Sequence, residues 1–150
     1  MIYGKVSPIV GPAFLAGGGE MGALMRAYDW SETPFGPVEA WPQTLRLALG
    51  ICLNAQHPIG IYWGEQRRLL YNDAWRRLIG EKHPAALGAP AGAVFPEIWA
   101  SVEPTLTEVF ATGVVAGSAD EFFPQKLDGQ LEDRWFDFSL NPIIGDEGQV

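Results

Sequence analysis

The sequence predicts an α+β fold in which helices lie between two pairs of antiparallel strands. Three observations predict it. An apolar stripe of helical period precedes residue 55, residues 59–63 and 133–144 alternate with period 2, and helical periodicity returns between these two regions. Each alternating run also has a second strand-like run beside it in the sequence. Strands joined by hairpins, with helices between the pairs, are typical of an antiparallel sheet in an α+β protein.

Composition narrows the class of protein. The 150 residues are 47% hydrophobic and 19% charged, which suits one domain with a real core. Eighteen acidic against ten basic residues give a net charge of −8, which disfavours nucleic acid and anionic membrane surfaces as partners. No apolar run approaches the roughly 18 residues that a membrane-spanning helix needs. We therefore expect a cytoplasmic protein that does not insert into membranes.

The N-terminal third predicts helices. Proline and glycine punctuate residues 1–19, which we expect to form a flexible leader, and residues 20–55 form a helical extension with a first short helix over 20–30. A stronger helix begins at Pro42, because proline suits the first helical position. Its apolar residues recur at helical spacing and form one stripe: Leu45, Ala48, Leu49, Cys52 and Leu53.

The first pair of strands is predicted over 59–71, with a turn at 64–66. Asn72 and Asp73 follow, and both have side chains that cap helices. They predict the start of a short helix over 74–79, which Gly80 ends. We interpret both polar residues as caps rather than as catalytic groups.

The longest helix and the second pair of strands complete the chain. The helix begins at Pro96 and runs to about Thr112, with a kink expected at Pro104 because a proline inside a helix removes one backbone hydrogen bond. Strands over 115–125 and 133–144 follow, joined by a loop. In the second of them, apolar residues point to one face and mixed residues to the other, as in a sheet with one face on a core.

Several motifs together resemble PAS domains. The run from Arg68 to Gly80 (RLLYNDAWRRLIG), followed by His83-Pro84 and Leu87-Gly88, resembles the family's central signature. Other stretches resemble the PAS domains that begin bacterial sensor histidine kinases: Asp29-Trp30-Ser31, Pro34-Phe35-Gly36-Pro37, Trp41-Pro42-Gln43-Thr44-Leu45-Arg46, Phe95-Pro96-Glu97-Ile98-Trp99 and Ala111-Thr112-Gly113. The resemblance covers residues 20–150 and makes 56–150 the PAS core.

A PAS sheet has five strands, and four are predicted here. The resemblance places the fifth after the loop 141–148, in mid-sheet beside the first strand. Without it two strand edges would be exposed, which is an aggregation liability. We therefore expect the last strand beyond residue 150 in a longer protein, with a partner segment or residues 1–15 in its place as the alternative.

The resemblance implies a sensory or interaction domain without catalytic activity of its own. The parent protein would be a histidine kinase whose ATP-dependent phosphotransfer takes place in another domain. The family uses the space between sheet and helices to hold a ligand or its own core. The walls of that space would be Tyr71, Trp75, Phe95, Trp99, Val102, Leu106, Phe122, Phe136, Phe138 and Leu140. Aromatic stripes at helical spacing normally form a core, so a filled interior is the first expectation.

The identity of any cofactor stays open. PAS domains that bind haem through histidine place it on the long helix, and residues 96–112 contain none, since the two histidines are His57 and His83. Flavin-binding members carry a reactive cysteine in an Asn-Cys-Arg-Phe stretch, which is absent here. Cys52 fits better as a small buried apolar residue. Histidine-ligated haem and cysteinyl flavin are therefore disfavoured.

Two alternatives stand beside the sensor. One is a dimerisation module with a filled core and no ligand. For the sensor as for this module we expect a homodimer that pairs through the N-terminal helices, by the stripe at 45–53, or through the outward Trp135 of the sheet, unless the stripe packs within its own domain. The other is a nucleotide-binding enzyme that uses Gly17–Gly22, which matches Gly-x-Gly-x-x-Gly. That motif needs a preceding strand, and none is predicted. No metal cluster or set of catalytic residues is predicted, and the paired acids Asp120-Glu121 and Glu132-Asp133 suit a solvated surface.

Overall fold

The structure is a computed structural model that describes residues 12–150. Across these residues it contains five α-helices, three short 3₁₀ segments and six strands in small two-stranded antiparallel sheets, which confirms the α+β class. No helix in this range is long and apolar enough to cross a membrane. The chain divides into two compact units. The first comprises the residues up to Gly60 together with Tyr71–Trp75, and the second comprises Ile61–Leu70 and Arg76–Val150.

Helices dominate the first unit. A 3₁₀ segment at Ala13–Leu15 precedes α1 (Gly19–Ala27), a second one spans Val38–Ala40, and α2 (Gln43–Asn54) follows. The stripe predicted on α2 is buried, with Leu45, Leu49, Cys52 and Leu53 all at most 5% exposed. It packs within its own unit and is not a free dimer surface.

The segment before α1 is packed, not a loose leader. Leu15 is fully buried, and the 3₁₀ segment around it contacts α2. The prediction of a flexible leader is therefore wrong for residues 12–19, while residues 1–11 lie outside the described residues. The physical reason is that apolar Leu15 and the small glycines after it can approach α2 closely.

Aromatic rings fix the loop between α1 and α2. Trp30 and Trp41 contact edge to face, with ring centroids 5.2 Å apart, and Phe35 packs on both. Each indole also has a backbone partner: Trp30 Nε1 donates to Met25 O at 2.9 Å, and Trp41 Nε1 donates to Gly36 O at 3.0 Å. The two buried tryptophans are therefore core residues.

The first hairpin forms as predicted. Strand β1 (Gly60–Trp63) pairs with β2 (Arg68–Tyr71), and α3 (Asp73–Ile79) follows directly. The other edge of β2 is also occupied, because Leu69 N donates to Ala89 O at 3.0 Å and Gly88 N donates to Leu69 O at 2.7 Å. A 3₁₀ segment at Gly80–Lys82 and the short helix α4 (Ala91–Val94) complete this region.

The longest helix, α5, spans Trp99–Thr112. It begins three residues later than Pro96, because Pro96–Ile98 form a turn before it. It ends as predicted at Gly113, whose φ of 66° is the left-handed conformation that glycine adopts without strain. Pro104 lies inside the helix on its exposed side.

The second hairpin contains more strands than predicted, because its ladder is interrupted between two pairs of strands. Strand β3 (Ala116–Phe122) pairs with β6 (Trp135–Leu140), and β4 (Gln125–Leu127) pairs with β5 (Gln130–Glu132) at its tip. The predicted strand over 115–125 thus ends early, at Phe122, since Pro124 has no N–H to donate to the ladder, and β4 and β5 lie almost wholly in the region predicted as a loop. In the described residues the strand pairs stay separate two-stranded sheets and do not form the single sheet expected.

Candidate functional site

The junction between β2 and α3 contains a buried polar side chain with several hydrogen bonds. Asn72 is 1% exposed. Its Oδ1 accepts hydrogen bonds from Trp75 N at 2.9 Å and Ile59 N at 3.1 Å. Its Nδ2 donates to His57 O at 2.8 Å and Cys52 O at 3.1 Å. The bond from Trp75 confirms Asn72 as the cap of α3, and the other bonds hold the end of α2 beside the start of β1.

Asp73 caps a different helix from the one predicted. Its carboxylate accepts from Glu20 N at 3.0 Å and from Met21 N at 2.7 Å, in the first turn of α1. The residue before α1 is Gly18, which has no side chain to cap with. A residue more than fifty positions away therefore supplies the acceptor, and the assignment of Asp73 to the start of α3 was wrong.

The glycine run explains how this carboxylate reaches α1. Gly17, Gly18 and Gly19 have φ values of 71°, 71° and 58°, which side chains rarely adopt. A Cβ on Gly19 would overlap Asp73 Oδ2, and one on Gly18 would lie 2.8 Å from Leu53 Cβ. The three glycines therefore allow α1 to pack closely against α2 and the Asp73 carboxylate.

The same geometry bears on the nucleotide motif. A dinucleotide site needs a strand before the glycines and free N–H groups at the helix start. Here a 3₁₀ segment precedes the run, and the Asp73 carboxylate already occupies the N–H groups of Glu20 and Met21. The match of Gly17–Gly22 to the nucleotide-binding motif is thus explained by the close packing of these glycines around Asp73.

Two of the predicted wall residues belong to the first unit. The Tyr71 and Trp75 rings stack with centroids 4.9 Å apart, and Tyr71 is fully buried. Burial raises the pKa of the Tyr71 hydroxyl above its ordinary value, so it stays neutral. Gly60 lies against the Trp75 indole, where a Cβ would come within 3.0 Å of Cε2.

The wall residues of α5 and Phe95, which precedes it, lie in the second unit. Phe95 and Leu106 are buried, while Trp99 and Val102 are half-buried. The Trp99 indole covers Gly92, where a Cβ would lie 2.9 Å from Nε1. These residues are core members with no polar group arranged for catalysis.

A bulge in β3 determines which side of the second hairpin Phe122 faces. Two residues of β3 oppose one of β6 between the pairs Ser118–Phe138 and Glu121–Phe136. Phe122 therefore lies opposite Trp135, and it is 47% exposed. Its assignment to the wall was wrong, because the extra residue moves it to the other face.

Phe123 takes the place that was assigned to Phe122. Its ring lies 5.5 Å from that of Phe138 and 6.4 Å from that of Phe136. Together with Leu140, these half-buried side chains form the apolar face of the second hairpin. Sequence reasoning missed Phe123, although a bulge beside the polar residues Asp120 and Glu121 could have been considered.

Two carboxylates bind the tip of the second hairpin: Glu81, in the 3₁₀ segment at Gly80–Lys82, and Glu97, in the turn before α5. Glu81 accepts hydrogen bonds from the backbone N–H groups of Asp128 and Gly129, and Glu97 accepts from Lys126 N at 3.1 Å. Hydrogen bonds from Asp128 lower the pKa of Glu81, and the Glu81 carboxylate raises the pKa of Asp128. Burial opposes ionisation of Glu97, but hydrogen bonds from Lys126 and Lys82 outweigh it and lower its pKa.

The cysteine and histidine side chains do not form a reactive or metal-binding site in the described residues. Cys52 is fully buried, and burial raises the pKa of its thiol to about 12, so it is not a nucleophile at neutral pH. His57 is exposed in the loop before β1, and His83 follows the 3₁₀ segment at Gly80–Lys82. Within residues 12–150, no group of three or more His, Cys, Asp or Glu side chains could hold a metal ion.

An open apolar groove of about 920 Å³ lies on the first unit. The groove runs between the first 3₁₀ segment and α2. Two α2 residues on it are more than 60% exposed, Leu47 and Ile51. They are one helical turn apart, on the side of α2 away from the buried stripe, so this face is the exposed apolar surface of α2.

Comparison with known proteins adds no assignment to this geometry. No protein-family model matches the chain, and no curated protein matches it in sequence.

Proposed function

We propose that this chain is a PAS-type sensory or interaction domain, and that it serves as the cytoplasmic input module of a sensor histidine kinase. It has no catalytic activity of its own. A small ligand or a partner acts by favouring one arrangement of the hairpins, which shifts the conformation of the dimer and of the output helix. ATP-dependent phosphotransfer belongs to another domain of the parent protein.

The order of elements is the observation that carries the proposal. A short hairpin leads through Asn72 into a short helix, further helical turns lead to the long helix α5, and a long hairpin follows. This order agrees with the motifs that resemble PAS domains, and it is supported by an apolar face on the second hairpin. An enzyme of comparable size would need a set of catalytic side chains; within residues 12–150 no group of three or more His, Cys, Asp or Glu could hold a metal ion, and the thiol of Cys52 is buried.

The proposal includes a fifth strand between the two hairpins. In the described residues, β1 and β6 each have one strand neighbour, so each keeps an edge that could accept another strand. Residues 13–15 do not fill this place, because they form the 3₁₀ segment against α2. A segment beyond residue 150, a partner segment or residues 1–11, which lie outside the described residues, would complete the sheet.

Native mass spectrometry of the purified chain tests the sensor against the filled-core module. A sensor retains a small molecule, or shows protection of β3 and β6 from hydrogen exchange when a cell extract of metabolites is added. A filled-core module shows the mass of the polypeptide alone and no change in exchange. The second result would remove ligand sensing and leave the dimerisation module.

A homodimer is part of the proposal, and the Leu47–Ile51 face of α2 supports it. Exposed apolar side chains one turn apart are suited to pairing with a second helix. Sedimentation analysis is expected to show a dimer that Ile51→Asp converts to a monomer. Glu65→Gln, an exposed change in the turn of the first hairpin, serves as the control and leaves the mass unchanged.

The nucleotide-binding enzyme remains a rival with a direct test. Titration with nucleotides, followed by tryptophan fluorescence, is expected to show no saturable change, because the N–H groups of α1 are already bonded to Asp73. Saturable micromolar binding that Gly19→Asp abolishes would favour the rival instead.

A further inference from the structure

The outward face of the second hairpin carries an exposed aromatic pair. Phe122 and Trp135 lie directly opposite each other in the β3–β6 ladder, with ring centroids 5.3 Å apart. They are 47% and 58% exposed. Exposed aromatic rings that contact each other mark interaction surfaces more often than isolated ones, because they offer a large rigid contact area.

Negative charge surrounds this pair. Asp137 lies on the same face as Trp135, two residues along β6, and Asp120 lies opposite it in the bulge of β3. Both are exposed, and Asp120 N donates to Asp137 Oδ1 at 2.9 Å, which holds the bulge together. We call Phe122, Trp135, Asp120 and Asp137 the outer hairpin face.

The arginine beside Trp135 is not available to this face. Arg134 is turned to the opposite side, where it stacks on Phe136 at 5.1 Å and donates to Leu78 O at 2.6 Å. In the described part of the chain, no cationic group lies over the ring of Phe122 or Trp135, although such contacts occur at Phe14, Phe95, Phe110 and Phe136. The face therefore combines open aromatic rings with unneutralised carboxylates.

We propose that the outer hairpin face is a docking site for an arginine-bearing amphipathic segment of a partner protein. A guanidinium group can stack on the two rings and still donate hydrogen bonds to the neighbouring carboxylates, which an ammonium group does less well. An apolar side chain of the same segment would cover the rest of the aromatic pair. This surface lies on the opposite side of the hairpin from Phe136 and Phe138 and does not depend on the PAS assignment.

The negative charge of the outer hairpin face disfavours a second copy of the chain, an anionic membrane and nucleic acid as the bound partner. A second copy of the chain would place the same two aspartates of each molecule against each other, in a protein of net charge −8. An anionic membrane surface and nucleic acid are repelled for the same reason. A cationic partner alone gains from both the rings and the carboxylates.

Two amphipathic helical peptides test the proposal. They share the same leucine positions, and one carries arginine and the other glutamate on the polar face. Fluorescence anisotropy is expected to show saturable binding of the arginine peptide and no binding of the glutamate peptide. Binding should weaken about five- to tenfold in Trp135→Ala and several-fold in Asp137→Asn, which keeps an acceptor for Asp120 N while it removes the charge.

Matched variants separate this site from general attraction to an acidic protein. Ile144→Ala changes an equally exposed apolar residue outside the hairpin and should leave the affinity unchanged. Phe122→Ala tests the outer hairpin face from the other strand. A melting temperature equal to that of the wild-type protein shows that each variant is folded. Undiminished binding by Trp135→Ala and Phe122→Ala, equal binding of the glutamate peptide, or a dimer that Trp135→Ala dissociates would overturn the proposal.

Discussion

At the scale of single residues, Asn72 shows how one buried amide can organise several elements. Its four short hydrogen bonds involve backbone groups of α2, of the following loop up to Ile59, and of α3. Every one of its polar atoms is satisfied inside the protein. Asparagine suits this place because it combines two donors and an acceptor on one planar group, which neither aspartate nor leucine can offer.

Asn72→Ala is expected to destabilise the protein by about 3 kcal/mol, because it leaves buried backbone groups without partners. Urea unfolding measures the loss. Asn54→Ala is the matched control: Asn54 is exposed and donates only to Gly50 O, so its replacement should cost less than about 1 kcal/mol. Equal midpoints for the two variants would contradict the role of Asn72.

The single cysteine gives a second measurement of the same effect. Cys52 is buried, so a thiol reagent should label it only when the surrounding structure opens. The labelling rate is expected to rise in Asn72→Ala and to stay at the wild-type value in Asn54→Ala.

At the scale of elements, the start of α1 depends on a cap from outside the helix. The Asp73 carboxylate replaces the side chain that Gly18 lacks, and Gly19 makes room for it. The helix dipole also favours an anion at this end of a helix. The three glycines therefore stabilise a particular contact and do not provide flexibility.

Gly19→Ala should cost more than Gly36→Ala, although both residues have positive φ. Gly36 (φ 68°) has nothing within 4 Å of its Cβ position, so alanine there costs only the backbone strain of about 1 kcal/mol. At Gly19 the methyl group also displaces the Asp73 carboxylate, which adds about 1 kcal/mol for the lost cap. Chemical denaturation compares the two variants.

The double variant Gly19→Ala, Asp73→Ala provides the control. Its destabilisation should be smaller than the sum of the two single effects, because both changes remove the same cap. Additive effects would show that Gly19 acts independently of Asp73.

The bulge in β3 makes neighbouring phenylalanines unequal. Phe123→Ala is expected to cost about 2 kcal/mol, since its ring packs on Phe136 and Phe138, whereas Phe122→Ala should cost less than about 1 kcal/mol. Thermal unfolding of both variants measures the difference. The reverse order would mean that β3 pairs with β6 without the bulge.

Periodicity predicted the elements that depend on local sequence. The stripe from Leu45 to Leu53, the hairpin before Asn72 and the end of α5 at Gly113 all lie where predicted, because each depends on neighbours a few residues away. The cap by Asp73 and the shift of Phe122 could not be predicted in this way. Both depend on how distant segments meet, which spacing along the chain does not contain.

At the scale of the whole molecule, the two compact units do not follow sequence order. The predicted boundary near residue 55 is close to Gly60, but Tyr71–Trp75 return to the first unit after the first hairpin. Asn72 and Asp73, which lie in this short return, supply the polar contacts that hold α1, α2 and the loop before β1. The first unit is therefore incomplete without residues that follow the hairpin.

The acidic character of the chain also predicts how stability changes with pH. Hydrogen bonds lower the pKa of Glu97 and Glu81 from ordinary values near 4.5, and a hydrogen bond from Ser31 lowers that of Asp29. For such groups the unfolded chain binds more protons near pH 4 than the native protein does, so stability rises with pH in this range. Asp128 has the opposite sign, because its raised pKa means that the native state holds its proton longer.

The lowered pKa values of Glu97 and Asp29 predict a loss of stability as the pH falls below about 4.5, while the hydrogen-bonded pair of Glu81 and Asp128 has shifts of opposite sign. The urea midpoint, measured from pH 6 down to about pH 3.5, should therefore decrease, and Glu97→Gln should make the decrease shallower, since it removes the carboxylate that contacts Lys82 and Lys126 N. A midpoint that rises on acidification would show instead that relief of the net charge of −8 outweighs these hydrogen-bonded carboxylates.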